Sequence, residues 1–251
     1  MAQQNRSIGG ILSAFHILFI VLWTVVTACI CSVGSLVFSP FSLHAARMSE
    51  RLWYRFLLVV SGVRVTTEGL DRINKNQRYI FLSNHQSYFD IPVLSRGLNL
   101  ELSFVAKKEL FSIPVFGWAM SAVGHIKIDR KNARKARLSI IRAVETLRKK
   151  NISLVLFPEG TRSPTGELHE FKRASFTVAL EAGVPIVPVV ISGSWKINRK
   201  KSMRINPGTV KLTIADPIPV DVAQSMDKGS LMEKVRGVIA TTLDGNKRFN
   251  E

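Results

Sequence analysis

The sequence predicts an α/β fold: a mixed sheet flanked by helices, preceded by an N-terminal membrane-embedded helical segment or hairpin. Three observations carry this expectation. No Lys, Arg, Asp or Glu falls between Arg6 and Arg47, and Ile8 to Phe38 is mostly Ile, Leu, Val, Phe, Ala and Trp. After residue 60, short runs rich in β-branched and aromatic residues alternate with longer runs of helical periodicity, as in a layered α/β domain. No long Ser/Gly/Pro linker divides residues 61–251, which read as one domain, with residues 1–60 as membrane-associating helices.

The apolar run exceeds the roughly 20 residues that a bilayer-spanning helix needs. It is apolar all round, unlike a half-exposed surface helix. A secretory signal fits poorly, since the run is too long and Arg6 is its only leading cation. A buried core helix is a second reading. Gly9, Gly10, Gly34 and Pro40 can punctuate a hairpin that enters one leaflet and returns, so spanning and re-entry both stay open. Ser42 to Val60 is then the second arm. There Leu43, Met48, Leu52, Phe56, Leu57 and Val60 recur near helical spacing, with Arg47, Arg51 and Arg55 on a neighbouring face. Such arginines can snorkel into a headgroup layer. If the run spans, they favour a cytoplasmic location for the remainder.

Strands are expected at Val63–Thr67, Tyr79–Ser83, Leu102–Ala106, Ile126–Ile128, Ser153–Phe157, Ile186–Ser192 and Val210–Ile214. Helices are expected at Tyr88–Arg96, Pro114–Ala122, Asn132–Lys149, Lys172–Ala182 and Ser230–Leu243, with Gly183 as a C-terminal cap. The third helix has Ala136, Ile140, Val144 and Leu147 inward and Arg134, Lys135, Arg137, Arg142, Arg148, Lys149 and Lys150 outward. That outer face is either solvated or a docking face for membrane or an acidic partner. The run Val184 to Val189 carries two prolines, which suits an edge strand or a bulge.

Composition limits the function. At 46% hydrophobic residues the chain has enough apolar material to fold. Cys29 and Cys31 are its only cysteines, which excludes a disulfide framework and a cysteine zinc site. A net charge of +17 implies an anionic partner: nucleic acid, anionic membrane or an acidic carrier. Nucleic acid is the poorest of these. No nucleic-acid motif is present, and the aromatics lie in apolar segments rather than among the basic residues.

Two polar constellations follow apolar strands. In Asn84-His85-Gln86-Ser87-Tyr88-Phe89-Asp90, the His-x4-Asp spacing lets a carboxylate reach back to an imidazole. A carboxylate on one ring nitrogen fixes the tautomer and leaves the other free to take a proton from a hydroxyl. In Phe157-Pro158-Glu159-Gly160-Thr161-Arg162-Ser163, Gly160 permits close backbone approach and Arg162 offers a fork for an oxyanion. A polar turn with Arg162 paired to Glu159 is the plainer alternative. Lys107 and Lys108 end a strand, and Asp129-Arg130 supplies another fork.

In this order, the segments resemble the glycerolipid acyltransferases, specifically those acting on 1-acyl-glycerol 3-phosphate. The resemblance rests on four blocks: Asn84 to Asp90; Lys107 to Arg130; Phe157 to Ser163; and Val184 to Pro188. It covers about residues 60 to 220 and implies an αβα core of that family. It also implies transfer of an acyl group from acyl-CoA or acyl carrier protein to the sn-2 hydroxyl of lysophosphatidic acid, giving phosphatidic acid. His85 is then the general base and Asp90 its orienting partner, with no covalent intermediate, no metal and no cofactor. Arg162 and Lys107 hold the acceptor phosphate, Arg130 is a further candidate, and Lys108 a lesser one. Glu159, Gly160 and Thr161 shape the acceptor site, and backbone amides near Gly160 are candidate oxyanion donors. The partners implied are an anionic membrane, lysophosphatidic acid and the acyl donor, with the active site on the cytoplasmic side. Two alternatives stay open: an acceptor such as glycerol 3-phosphate or a lyso-aminolipid, and a non-catalytic lipid-binding membrane protein.

Overall fold

The computed structural model describes residue 26, residues 29–129, residues 139, 144 and 145, residues 152–202 and residues 204–250. Residues 29–38 are helical. Most of the apolar run, most of the expected helix Asn132–Lys149, and Arg130 lie outside the described residues. The part of that helix described includes Val144, which is buried.

Seven strands form one sheet: β1 (Val63–Glu68), β2 (Ile80–Ser83), β3 (Leu102–Lys107), β4 (Ile126–Ile128), β5 (Ser153–Leu156), β6 (Ile186–Ser192) and β7 (Gly208–Ile214), in the order β1-β7-β6-β2-β5-β3-β4. All neighbours run parallel except β6 and β7. The sheet is therefore mixed, as the alternation predicted. Every residue of β2, β5 and β6 is buried, which suits parallel strands covered on both faces.

The labelled helices are α1 (Leu43–Val60), α2 (Asp90–Leu98), α3 (Phe116–Ala122), α4 (Arg173–Ala182) and α5 (Lys228–Gly245). On one face α1 packs on α2, and both contact β1. On the other, α4 packs on α5, which contacts β6 through a helical stripe of buried Leu231, Val235, Ile239 and Leu243. Side chains at the ends define these helices. Ser42, in extended backbone, caps α1 by accepting the Ala45 N–H, and Asp227 caps α5 by accepting from Gly229 and Ser230. Gly183 ends α4 in the left-handed region at φ 63°, as expected.

Of the two readings of the prolines, edge strand or bulge, the bulge holds: β6 is interior, between β7 and β2, and the three steps from Ile186 to Val189 oppose the four from Ile218 to Ile214. The Pro188 carbonyl accepts the Ala215 N–H, so this residue's missing donor faces the same side. That side is a break in pairing, between the Ile186–Ile218 bridge and the β7 ladder that starts at Val189 and Ile214. No hydrogen bond is lost there. One expectation is corrected: Arg47 does not snorkel outward toward a headgroup layer. It is 2% exposed, and its guanidinium donates to the carbonyls of Leu102 at 2.8 Å and Val123 at 2.6 Å. It fastens α1 to the ends of β3 and α3.

No helix among the described residues is long and apolar enough to cross a membrane. The helical residues 29–38, the turn after them and α1 nevertheless expose large apolar side chains, including Ile30, Val37, Phe41, Leu52 and Val59.

Candidate active site

The C-terminal ends of β2, β5 and β6 lie side by side, because these strands are parallel neighbours. That edge is where α/β sheets present functional groups. Strand β2 delivers His85, and β5 delivers the Phe157–Ser163 turn.

His85 and Asp90 meet. Nδ1 of His85 lies 2.7 Å from Oδ2 of Asp90. The same oxygen accepts the N–H groups of Gln86 at 2.7 Å and Ser87 at 2.9 Å. Asp90 is fully buried and opens α2. The carboxylate accepts, so Nδ1 carries the ring proton and Nε2 presents its lone pair. The imidazole is stacked on Phe157, with centroids 4.1 Å apart and 18° between planes. Two strand ends thus fix one ring: an Asp beside it in the hydrogen-bonding plane, a Phe beneath it.

The His85 backbone is held as firmly. Its N–H donates to Oε1 of Glu159 at 2.7 Å, and its carbonyl accepts the Ser163 N–H at 2.8 Å. The other Glu159 oxygen accepts the His169 N–H at 3.0 Å. Glu159 is therefore buried behind His85, turned inward rather than paired with Arg162. Burial pushes its pKa up to about 7, against the two backbone hydrogen bonds, which lower it. Asn84 adds a third restraint, exchanging two hydrogen bonds of 2.8 Å with the Ile191 backbone.

Gly160 turns the chain at φ 70°, a conformation that favours glycine, and a Cβ there would lie 3.0 Å from the Lys172 side chain. Its N–H donates to the Phe157 carbonyl at 3.0 Å, which removes it from the candidate oxyanion donors. Thr161 is exposed. The Arg162 guanidinium carbon lies 3.5 Å above the Tyr88 ring, and its Nη1 is buried with no hydrogen-bond partner. An arginine with an unused donor suits an anionic group. Lys107 ends β3 and is exposed. Lys108 is engaged elsewhere, donating to Asp129 at 2.7 Å. That hydrogen bond raises its pKa.

Next to the start of α2 lies an apolar cavity of about 340 Å³. Tyr88, Ile91 and Pro92 line it next to the site, and Leu57, Phe104 and Phe116 are among its other walls. Glu50, His125 and Tyr54 also border it. Glu50 accepts from the Tyr54 hydroxyl at 2.8 Å and pairs with His125. Burial raises the Glu50 carboxyl, but His125, Tyr54 and Arg47 together outweigh it and hold the pKa below its ordinary value.

Sequence reasoning missed Tyr88, Phe157 as a stacking partner, and the buried Glu50–His125 pair. The first two sit inside recognised blocks, where an aromatic beside a candidate base was the available signal. Glu50 and His125 are 75 positions apart, and no local pattern joins them.

The Acyltransferase family profile matches residues 64–192. A 1-acyl-sn-glycerol-3-phosphate acyltransferase from Cocos nucifera is 34% identical over 222 residues, covering 87% of this chain and 71% of that protein. A protein of the same name from Saccharomyces cerevisiae is 33% identical over 203 residues, covering 80% and 67%. The crystal structure of the 1-acyl-sn-glycerophosphate (LPA) acyltransferase PlsC from Thermotoga maritima superposes with a TM-score of 0.82 at 26% identity, covering 95% of this chain and 97% of that one. The matched span runs from β1 to the end of β6 and contains both strand ends that meet at His85. On sequence and on fold, the chain belongs to the acyltransferase family.

Proposed function

We propose that the protein transfers a fatty acyl group from an acyl thioester, acyl-CoA or acyl carrier protein, to the sn-2 hydroxyl of lysophosphatidic acid, forming phosphatidic acid. The observation that carries this reading is the His85–Asp90 pair, 2.7 Å apart through Nδ1, in the same segment as Tyr88, Ile91 and Pro92, which line an apolar cavity. The names of the relatives supply the acceptor.

In this mechanism Nε2 of His85 takes the proton of the acceptor hydroxyl as its oxygen attacks the thioester carbonyl. Asp90 stabilises the imidazolium that forms. The tetrahedral intermediate expels the thiolate, which takes the proton back from His85. One C–O bond forms, one C–S bond breaks, and no residue is acylated. Arg162, with Lys107 nearer solvent, receives the acceptor phosphate. The apolar cavity takes the acyl chain. The exposed apolar faces of residues 29–38 and α1 hold the enzyme on an anionic bilayer from its cytoplasmic side, at the depth where the acceptor resides.

A panel of acceptors with labelled donor tests the substrate assignment. Turnover of lysophosphatidic acid above all other acceptors is expected. Turnover of glycerol 3-phosphate or a lyso-aminolipid, with lysophosphatidic acid inert, overturns it.

A further inference from the structure

Tyr88 stands between the two subsites. Its ring lies 3.5 Å beneath the Arg162 guanidinium carbon, and the same side chain lines the apolar cavity next to Ile91 and Pro92. The residue is 67% exposed, which is unusual for a large aromatic beside a catalytic histidine. Its backbone is fixed. Asp90 accepts the N–H groups of Gln86 and Ser87, and the Ser87 hydroxyl accepts the Phe89 N–H while donating to the Asn198 carbonyl. The buried Nη1 of Arg162 has no hydrogen-bond partner among the described residues. The Tyr88 face is thus a contact that holds the guanidinium in place.

We infer that Tyr88 is a positioning residue that couples the two subsites: an acyl chain in the cavity fixes the Tyr88 ring, and the ring holds Arg162 where the acceptor phosphate docks. This rests on the reading above, in which the cavity takes the acyl chain and Arg162 takes the phosphate. The physical basis is desolvation. A cation over an aromatic face is held more tightly once water is excluded from the pair. A chain packed along the cavity side of the ring excludes that water and stops the ring from turning. A filled cavity then raises affinity for the phosphorylated acceptor. By linkage, a bound acceptor raises affinity for the long-chain donor by the same factor.

Steady-state kinetics on the full chain test this, with a long-chain acyl thioester and an acetyl thioester as alternative donors. In the unmodified protein the acceptor KM is expected to be several-fold lower with the long-chain donor. In Tyr88→Leu the acceptor KM should rise about five- to thirtyfold, the range from an exposed to a desolvated cation–aromatic contact. The difference between donors should vanish, and kcat at saturating acceptor should fall far less than KM rises. Tyr88→Phe, which keeps the aromatic face, should restore both. Equal acceptor KM with the two donors in the unmodified protein overturns the coupling, and this arm needs no variant. A KM in Tyr88→Leu within twofold of normal, or equal damage from Leu and Phe, overturns the positioning role. Arg162→Ala separates the two readings. If it leaves the acceptor KM unchanged, the phosphate assignment itself fails; if it raises that KM while Tyr88→Leu does not, only the role of Tyr88 fails.

Discussion

At the scale of single residues, His85 and Glu159 do different work through one connection. His85 presents Nε2, and its removal should abolish the proton transfer. His85→Ala is expected to lose turnover by about 100-fold or more, the usual contribution of a positioned base. Near-normal rates in a folded variant would remove the base assignment. Glu159 supports His85 from behind, and its carboxyl sits at about 7, above the ordinary 4.5. Between those values the folded chain keeps a proton that the unfolded chain has released. Stability should therefore fall as pH rises from about 4.5 to about 7, by at most about 3 kcal/mol. Urea midpoints across that range should decline in the natural chain and run flatter in Glu159→Gln. The variant should also be weaker at low pH, because its amide nitrogen cannot accept one of the two backbone N–H groups. Parallel slopes would show that another group sets the decline. The sequence made the His85–Asp90 contact legible because a five-residue separation lets the carboxylate reach the ring, and it marked Arg162 by its fork of donors in a second polar block. It left two partners open for Arg162, and only the fold decides between them: Glu159 faces inward to two backbone amides, so the arginine lies on Tyr88 instead.

At the scale of elements, strands were readable to within a residue or two because short runs rich in β-branched and aromatic residues mark them. Helix α1 was readable as a helix but not in its orientation. It is apolar on two sides, so periodicity cannot say which stripe faces inward. The structure buries Ala46, Arg47, Tyr54 and Leu58 and leaves Met48 and Leu52 exposed. A buried arginine is the feature that sequence hides best, since its partners are carbonyls 55 and 76 positions away. Burial lowers the Arg47 pKa, while Glu50 and Glu101 raise it. Arg47→Ala would leave two carbonyls without donors and an empty volume between α1 and the sheet. A loss of about 3–5 kcal/mol is expected, read as a lowered urea midpoint. Arg47→Met should recover part of it by filling the space without donating. A cost below about 1 kcal/mol for the alanine variant would mean that α1 is held by its apolar contacts alone.

At the scale of the whole molecule, the charge of +17 and the exposed apolar side chains ask for one surface. Val26, Ile30, Val33 and Val37 recur at helical spacing, and so do Met48, Leu52 and Val59 along α1, with Phe41 in the turn before it. A stripe along the side of a helix that also packs on the sheet suits an interface lying in the membrane plane better than a span. Monomeric soluble proteins rarely expose so much contiguous apolar surface without using it. Leu52 and Val59 are 55% and 77% exposed, so charges there should leave the fold intact. The double variant Leu52→Glu with Val59→Glu should therefore keep its urea midpoint. It should lose affinity for anionic vesicles by about tenfold or more, since each apolar side chain contributes about 1.5–3 kcal/mol when buried. Turnover of a bilayer-embedded acceptor should fall with it, while turnover of a short-chain, water-soluble acceptor should not. That split distinguishes a membrane surface from a structural one. If vesicle sedimentation is unchanged, the lateral stripe is not what holds the protein to the bilayer, and attachment must lie in the residues before it.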